Sequence, residues 1–261
     1  MAQRSASPRA SDCTRPVRLN FLLMALSALL AVAAIEFAVP PVRVLALTET
    51  ADYRHEVIPH AVSVLRQIAA KEGFVLEVTG DSGRITDGNL TTKDVVVFLL
   101  TTGDILNSDE EAALQRFIRS GGGFVGIHSA ADTEYDWEWY GRLVGAYFRS
   151  HPPVQRARVI VEQPTLFSMR HMPVESWWED EWYDYRQNPR GRVTVLARVD
   201  ESSYSGGVMG EDHPIVWQQD FDGGRSWYTG LGHTASTWDD ARFQLMLRDA
   251  ILLVARRDTA K

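Results

Sequence analysis

Hydrophobic positions change their spacing repeatedly along this chain, and the changes predict alternating strands and helices. Val42–Leu47 is a short apolar run broken only by Arg43, the pattern of a buried strand. Thr48 to Glu56 is polar and loop-like. From Ile58 to Lys71, Ile58, Ala61, Val62, Leu65, Ile68 and Ala69 fall on one face of a helix, and Gly73 suits its C-terminal cap. Phe74–Val78 reads as a second strand and Asp81 to Gly88 as turns. Asp94–Leu100 is almost entirely apolar, as a central parallel strand covered on both faces must be. Ser108 with Glu111 predicts a capping box, and Leu114, Phe117 and Ile118 give the following helix its inner face. Gly121-Gly122-Gly123 ends that helix before a fourth strand, Phe124–Ile127.

The second half is less regular. Arg156–Val161 and Val193–Val199 read as strands. Val208–Gln218 and Arg225–Thr229 form a strand pair across the hairpin signal Asp222-Gly223-Gly224. Asp239–Val254 is a closing helix with Phe243, Leu247, Ala250, Ile251 and Val254 inward. Residues 171–186 mix aromatics with acids and show no clear element. The expectation is one α/β domain over residues 42–256, a mostly parallel sheet with helices on both faces, with a short tail at 257–261.

Before this body, Arg4, Arg9, Arg15 and Arg18 precede an apolar run from Phe21 to Ile35, and Ala31-Val32-Ala33 offers a small-x-small cleavage point. Such a run is shorter than the roughly 20 residues of a spanning helix. Residues 1–41 therefore read as a signal peptide, or as a signal anchor if uncleaved, and predict a periplasmic or secreted protein touching a membrane only through that segment. They hold four arginines and two acids, so a chain of net charge −7 leaves −9 on the remainder. An acidic body argues against nucleic acid as a partner, because phosphate binding needs basic surface. The single cysteine, Cys13, lies ahead of the apolar run and rules out an intramolecular disulfide or a cysteine zinc cluster. Chemistry must come from histidines, carboxylates, hydroxyls and backbone.

In an open parallel sheet, ligands bind beyond the carboxyl ends of the strands. Tyr53, Arg54 and His55 follow the first strand, His128, Ser129 and Asp132 the fourth, and His233 the last. His128 stands among small residues at a strand-to-turn junction where nucleophile-elbow enzymes place Ser or Cys. Imidazole there suits a general base, a metal ligand or a substrate contact. If His55, His128 and His233 converge, a divalent metal is open, with Glu181 or Asp132 as oxygen ligand, although no HExxH motif assigns a ligand set. Ser129 lacks the GxSxG frame of a serine hydrolase. His151 and His213 each precede proline; His151 reads as loop geometry, whereas His213 is left between loop and cleft. His171 has no assigned role. The Trp177–Tyr185 stretch reads either as a sugar-facing surface, rings covering C–H faces and acids accepting hydroxyls, or as aromatic packing at a sheet edge.

Three pieces in this order resemble the ThuA-like family, named for trehalose utilisation: Tyr53-Arg54-His55; Gly121 to Ala130 around His128; and Asp180-Glu181-Trp182-Tyr183 with Gly224 to His233. The resemblance covers nearly all of residues 42–256 and implies a flavodoxin-like sheet of the class I glutamine amidotransferase type. His128 occupies the place of the amidotransferase cysteine, so glutaminase chemistry is not expected. It also implies a small-molecule sugar partner, a keto-sugar derivative of a disaccharide among the candidates. A hydrolytic or isomerising step is the expected chemistry. The expected catalytic residues are His128, His55 and Glu181, the first two as candidate general bases and Glu181 as acid or metal ligand. Arg54, Tyr53, His233, Trp182 and Asp132 are expected to bind substrate. A non-catalytic sugar-binding module and a metal-dependent hydrolase of another substrate class are the alternatives.

Overall fold

A computed structural model describes residues 1–3 and 40–258; the apolar N-terminal run read as an export segment lies outside them. Five parallel strands form the heart of the body: β1 (Arg43–Leu47), β2 (Val75–Thr79), β3 (Val95–Leu99), β4 (Gly123–Ile127) and β11 (Gly224–Thr229), in the order β2-β1-β3-β4-β11. This is the flavodoxin order, with its switch point between β1 and β3. β10 (Pro214–Phe221), β9 (Thr194–Asp200), β6 (Gln155–Val161) and β7 (Glu175–Asp180) continue the sheet beyond β11, each antiparallel to its neighbour. The nine-stranded sheet is thus mixed, parallel in its first half and antiparallel in its second. β5 (Phe148–Ser150) and β8 (Asp184–Tyr185) pair separately.

Alternation along the strands splits the core into two layers. Val44, Ala46, Val95, Val97 and Val125 pack on α1 (Ile58–Glu72) and α6 (Ala241–Val254). Leu45, Leu47, Val96, Phe98 and Phe124 face the other way, onto α3 (Ser108–Arg119) and α4 (Glu138–Val144). Two short helices, α2 (Asp87–Leu90) and α5 (Ala235–Asp239), complete the set. At the tip of the β10–β11 hairpin, Asp222 and Gly223 both take positive φ, 47° and 97°, as a type I′ turn requires.

The structure moves several expected boundaries. The capping box of α3 lies one residue early: Asn107 Oδ1 accepts from the Glu110 amide and Glu110 Oε2 from the Asn107 amide. The expected strand from Val208 starts only at Pro214. Residues ahead of it spend their amides on carboxylates instead of a ladder, Val208 on Asp184 and Met209 and Gly210 on Glu201. The closing helix breaks at Asp240, whose extended backbone (φ −74°, ψ 120°) lets its side chain cap α6. Residues 175–180, to which the sequence assigns no element, are the edge strand β7, with Trp178 buried and Trp177 exposed.

Candidate functional site

The carboxyl ends of β1, β4 and β11 bring three histidines together. After β1 the loop is tied to the end of β3: the Ala51 amide donates to the Thr102 carbonyl and Thr102 Oγ1 to the Tyr53 carbonyl, 2.8 and 2.9 Å. That tether leaves His55 buried, 4% exposed, just ahead of α1. At the end of β4, His128 has a φ of +52° and is fully buried. A non-glycine residue held there costs on the order of 1–3 kcal/mol. Two contacts from β11 and the loop beyond it secure it: Tyr228 Oη donates to the His128 carbonyl at 2.8 Å, and His128 Nδ1 lies 2.7 Å from the Gly230 carbonyl. Position 230 must be glycine for this approach, since a Cβ there would lie 2.6 Å from Tyr185 Oη.

Asp180, the last residue of β7, fastens the remaining pieces. Its buried carboxylate accepts from the amides of Glu181, Gly232 and His233 at 2.8–2.9 Å and from Thr237 Oγ1 at 2.7 Å. One side chain therefore sets both Glu181 and His233.

The result is a compact donor cluster. The rings of His55, His128 and His233 stand 5.0, 5.2 and 5.3 Å apart, centroid to centroid. Glu181 Oε2 lies 3.4 Å from His128 Nε2 and 3.2 Å from His233 Nδ1, and those two nitrogens are 3.3 Å apart. One donor atom from each of the four residues lies within 4.8 Å of the others. Donors about 2.0–2.1 Å from a tetrahedral ion stand about 3.3–3.4 Å apart, so His128, His233 and Glu181 already hold that spacing. The Gly230 carbonyl accepts a hydrogen bond from His128 Nδ1–H, which leaves the Nε2 lone pair facing the cluster, the second-sphere arrangement of a metal-bound histidine. Burial, with help from the neighbouring imidazoles, pushes His55 down to about 3, so it stands neutral with a free lone pair. Burial would raise Glu181, but His128 and His233 outweigh it and hold the carboxyl well below its ordinary range. Burial likewise lowers His233, and Glu181 reverses this, leaving it raised.

The sequence model of the family described as "ThuA: Trehalose utilisation" matches residues 43–254. The chain belongs to the ThuA family. Among solved structures, a ThuA-like protein from Bacteroides uniformis aligns with a TM-score of 0.72 at 24% identity, over 85% of this chain and 94% of that one. A ThuA-like protein from Parabacteroides merdae gives 0.69 at 18% identity, over 83% and 90%. A β-galactosidase from Bacillus circulans shares the fold over 80% of this chain but only 30% of its own length, with a TM-score of 0.53 at 12% identity. None of the curated proteins compared with the chain matches it. ThuA membership places the protein in carbohydrate metabolism.

Around the ThuA cluster, Tyr53 is 62% exposed and stands edge-on to His55 at 4.8 Å. Arg54 is exposed and turns back onto the Thr48 carbonyl, 3.3 Å away. Asp132 is half-buried and accepts from Tyr135 Oη. Trp182 is not brought to the cluster. It is fully buried, with its indole N–H on the Gln155 carbonyl at 2.9 Å, because the chain turns after Glu181 and sends the next side chain into the core. Ser129 Oγ lies 3.5 Å from His55 Nδ1. His213 is buried away from the cluster, between Glu201 and the Tyr183 carbonyl, both 2.8 Å away. His60 and His171 pair with Asp239 and Asp249. Sequence reasoning missed three residues. Asp180 builds the site, Tyr183 packs on the His128 ring at 4.1 Å, and His151 sits 3.0 Å from Glu181 Oε1. The larger surface hollows lack such convergence: one of about 880 Å³ is lined by Arg158, Arg190 and Arg198, each facing a carboxylate.

One buried acid stitches the rim. Glu134, left-handed at φ +54°, accepts the Ile105 and Leu106 amides on Oε1 at 2.8 and 2.9 Å, joining the loop after β3 to the loop after β4. Burial, offset in part by those amides and reinforced by Asp104, pushes it up to about 7. A raised acid stabilises the fold fully below its unfolded value of 4.5 and loses that contribution as pH rises through about 7. Glu134→Gln keeps the accepting oxygen and cannot ionise. The variant should therefore gain on the order of 2–3 kcal/mol over the parent between pH 5 and pH 8. Urea unfolding at the two pH values checks this, and a parallel change in both proteins contradicts it.

Proposed function

We propose that this protein processes a sugar, or a keto-sugar derivative of a disaccharide, at a divalent-metal centre held by His55, His128, His233 and Glu181. The observation that carries the reading is the 3.2–3.4 Å spacing among His128 Nε2, His233 Nδ1 and Glu181 Oε2 at the strand ends of a trehalose-utilisation domain. The donor set is imidazole and carboxylate, which suits zinc or a neighbouring first-row ion once His233 gives up the proton that Glu181 favours. A divalent ion there supplies Lewis acidity toward a carbonyl or hydroxyl oxygen. His128 and His55, read from the sequence as general bases, then serve as ligands. Tyr53 offers an exposed ring beside the cluster for the apolar face of a sugar, and Asp132 a carboxylate for its hydroxyls.

Turnover of 3-ketotrehalose and of trehalose, before and after stripping with a chelator, tests the reading. Product formation should cease on stripping and return with added zinc or manganese. Micromolar binding without product would favour a binding module, and turnover indifferent to chelation would remove the metal from the account.

A further inference from the structure

His151 reaches Glu181 from outside the donor cluster and is the more exposed of the two histidines, with His233, that touch Glu181 and also meet solvent. It lies just after β5, immediately before Pro152-Pro153, and its side chain is 38% exposed. Nδ1 is 3.0 Å from Glu181 Oε1 and 3.0 Å from the Pro152 carbonyl. Both are pure acceptors, so Nδ1 carries the ring proton and Nε2 the lone pair. Nε2 has no partner among the described residues. The ring stacks on Tyr183 at 5.8 Å and 24°, with Phe148 also 5.8 Å away, and these two aromatics restrict how it can turn. Glu181 is thus shared: Oε2 faces His128 and His233, and Oε1 faces His151.

We propose that His151 is the proton-transferring residue of this site. Nε2 takes the proton of a substrate O–H group that approaches from the solvent side of the cluster. The O–H bond breaks with its electron pair left on oxygen, an N–H bond forms, and the imidazolium rests against the Glu181 carboxylate. Return of that proton to the product oxygen restores the ring. A carboxylate-oriented histidine with its distal nitrogen free is the arrangement such a base needs. The histidines with a metal-facing lone pair cannot share this work, whereas His151 stands outside their ring. The proposal rests on the sugar-derivative reading of the same site.

The variants His151→Gln and His151→Ala, assayed with 3-ketotrehalose as probe, test it together with the metal content of each protein. The expected kcat loss is about 10²–10³-fold, with KM and metal content as in the parent and partial recovery of the Ala variant by added imidazole. Unchanged kcat overturns the assignment, as does a loss that follows lost metal and that imidazole does not restore. Nitrogen-15 ring spectra of the metal-free protein decide the point without any substrate. A His151 tautomer protonated at Nδ1 supports it, and one protonated mainly at Nε2 overturns it. If the parent turns over neither sugar, the substrate reading fails and the tautomer still judges His151.

Discussion

Asp180→Ala is expected to lower stability by about 3–5 kcal/mol, the largest effect of any single truncation near the site. The carboxylate is wholly buried and answers four donors: three amides, of Glu181, Gly232 and His233, and the Thr237 hydroxyl. Removing it orphans all four in a dry interior, where each unsatisfied group costs about 1–3 kcal/mol before relaxation or a trapped water recovers part. Because the same side chain sets Glu181 and His233, the variant should also lose the donor cluster. Asp180→Asn retains one accepting oxygen and should fall between the two. Urea denaturation measures the difference; a loss under 1 kcal/mol in Asp180→Ala would mean that the loop after β11 is held by something else.

His128→Asn is expected to weaken zinc binding on the order of 10²-fold or more, since even second-sphere partners of a metal-bound histidine are worth 10–100-fold. Asparagine tolerates the left-handed backbone at φ +52°, so the elbow keeps its shape while the ring is lost. Alanine would confound the result, because a residue that dislikes positive φ disturbs the strand end as well as the site. Turnover should disappear with the metal. An Asn variant that binds zinc as tightly as the parent would place the ion elsewhere.

The parallel half of the fold was legible chiefly because β3 and β4 carry no polar residue and β1 is apolar but for Arg43, each between polar or glycine-rich boundaries. That pattern follows from burial on both faces, and Val95–Leu99 is its extreme case. The antiparallel half was harder. β7 alternates buried and exposed residues over only six positions, and its aromatics and acids disguise the period. The segment before Pro214 looked like strand because Val208 and Met209 are apolar, yet its amides go to Asp184 and Glu201. Distant carboxylates of this kind leave no local signal.

Within the site, His55, His128 and His233 could be found because topology places strand ends together, and Glu181 was one of two candidate oxygen ligands before the family pattern also pointed to it. Trp182 was misleading: adjacency to Glu181 in the chain does not survive the turn that buries it on Gln155. His151 was hidden by its prolines. A histidine before Pro-Pro reads as loop geometry, and only the return of the chain past β5 brings it within 3.0 Å of Glu181. Asp180 was hidden for the same reason, three of its four partners lying 52 to 57 residues away in sequence.

Calorimetric titration of chelator-stripped protein with zinc tests the central claim most directly. One ion per chain is predicted, with that binding lost in Glu181→Gln. Absence of zinc binding by the parent, or equal binding by the Glu181→Gln variant, would contradict a metal centre built from His55, His128, His233 and Glu181.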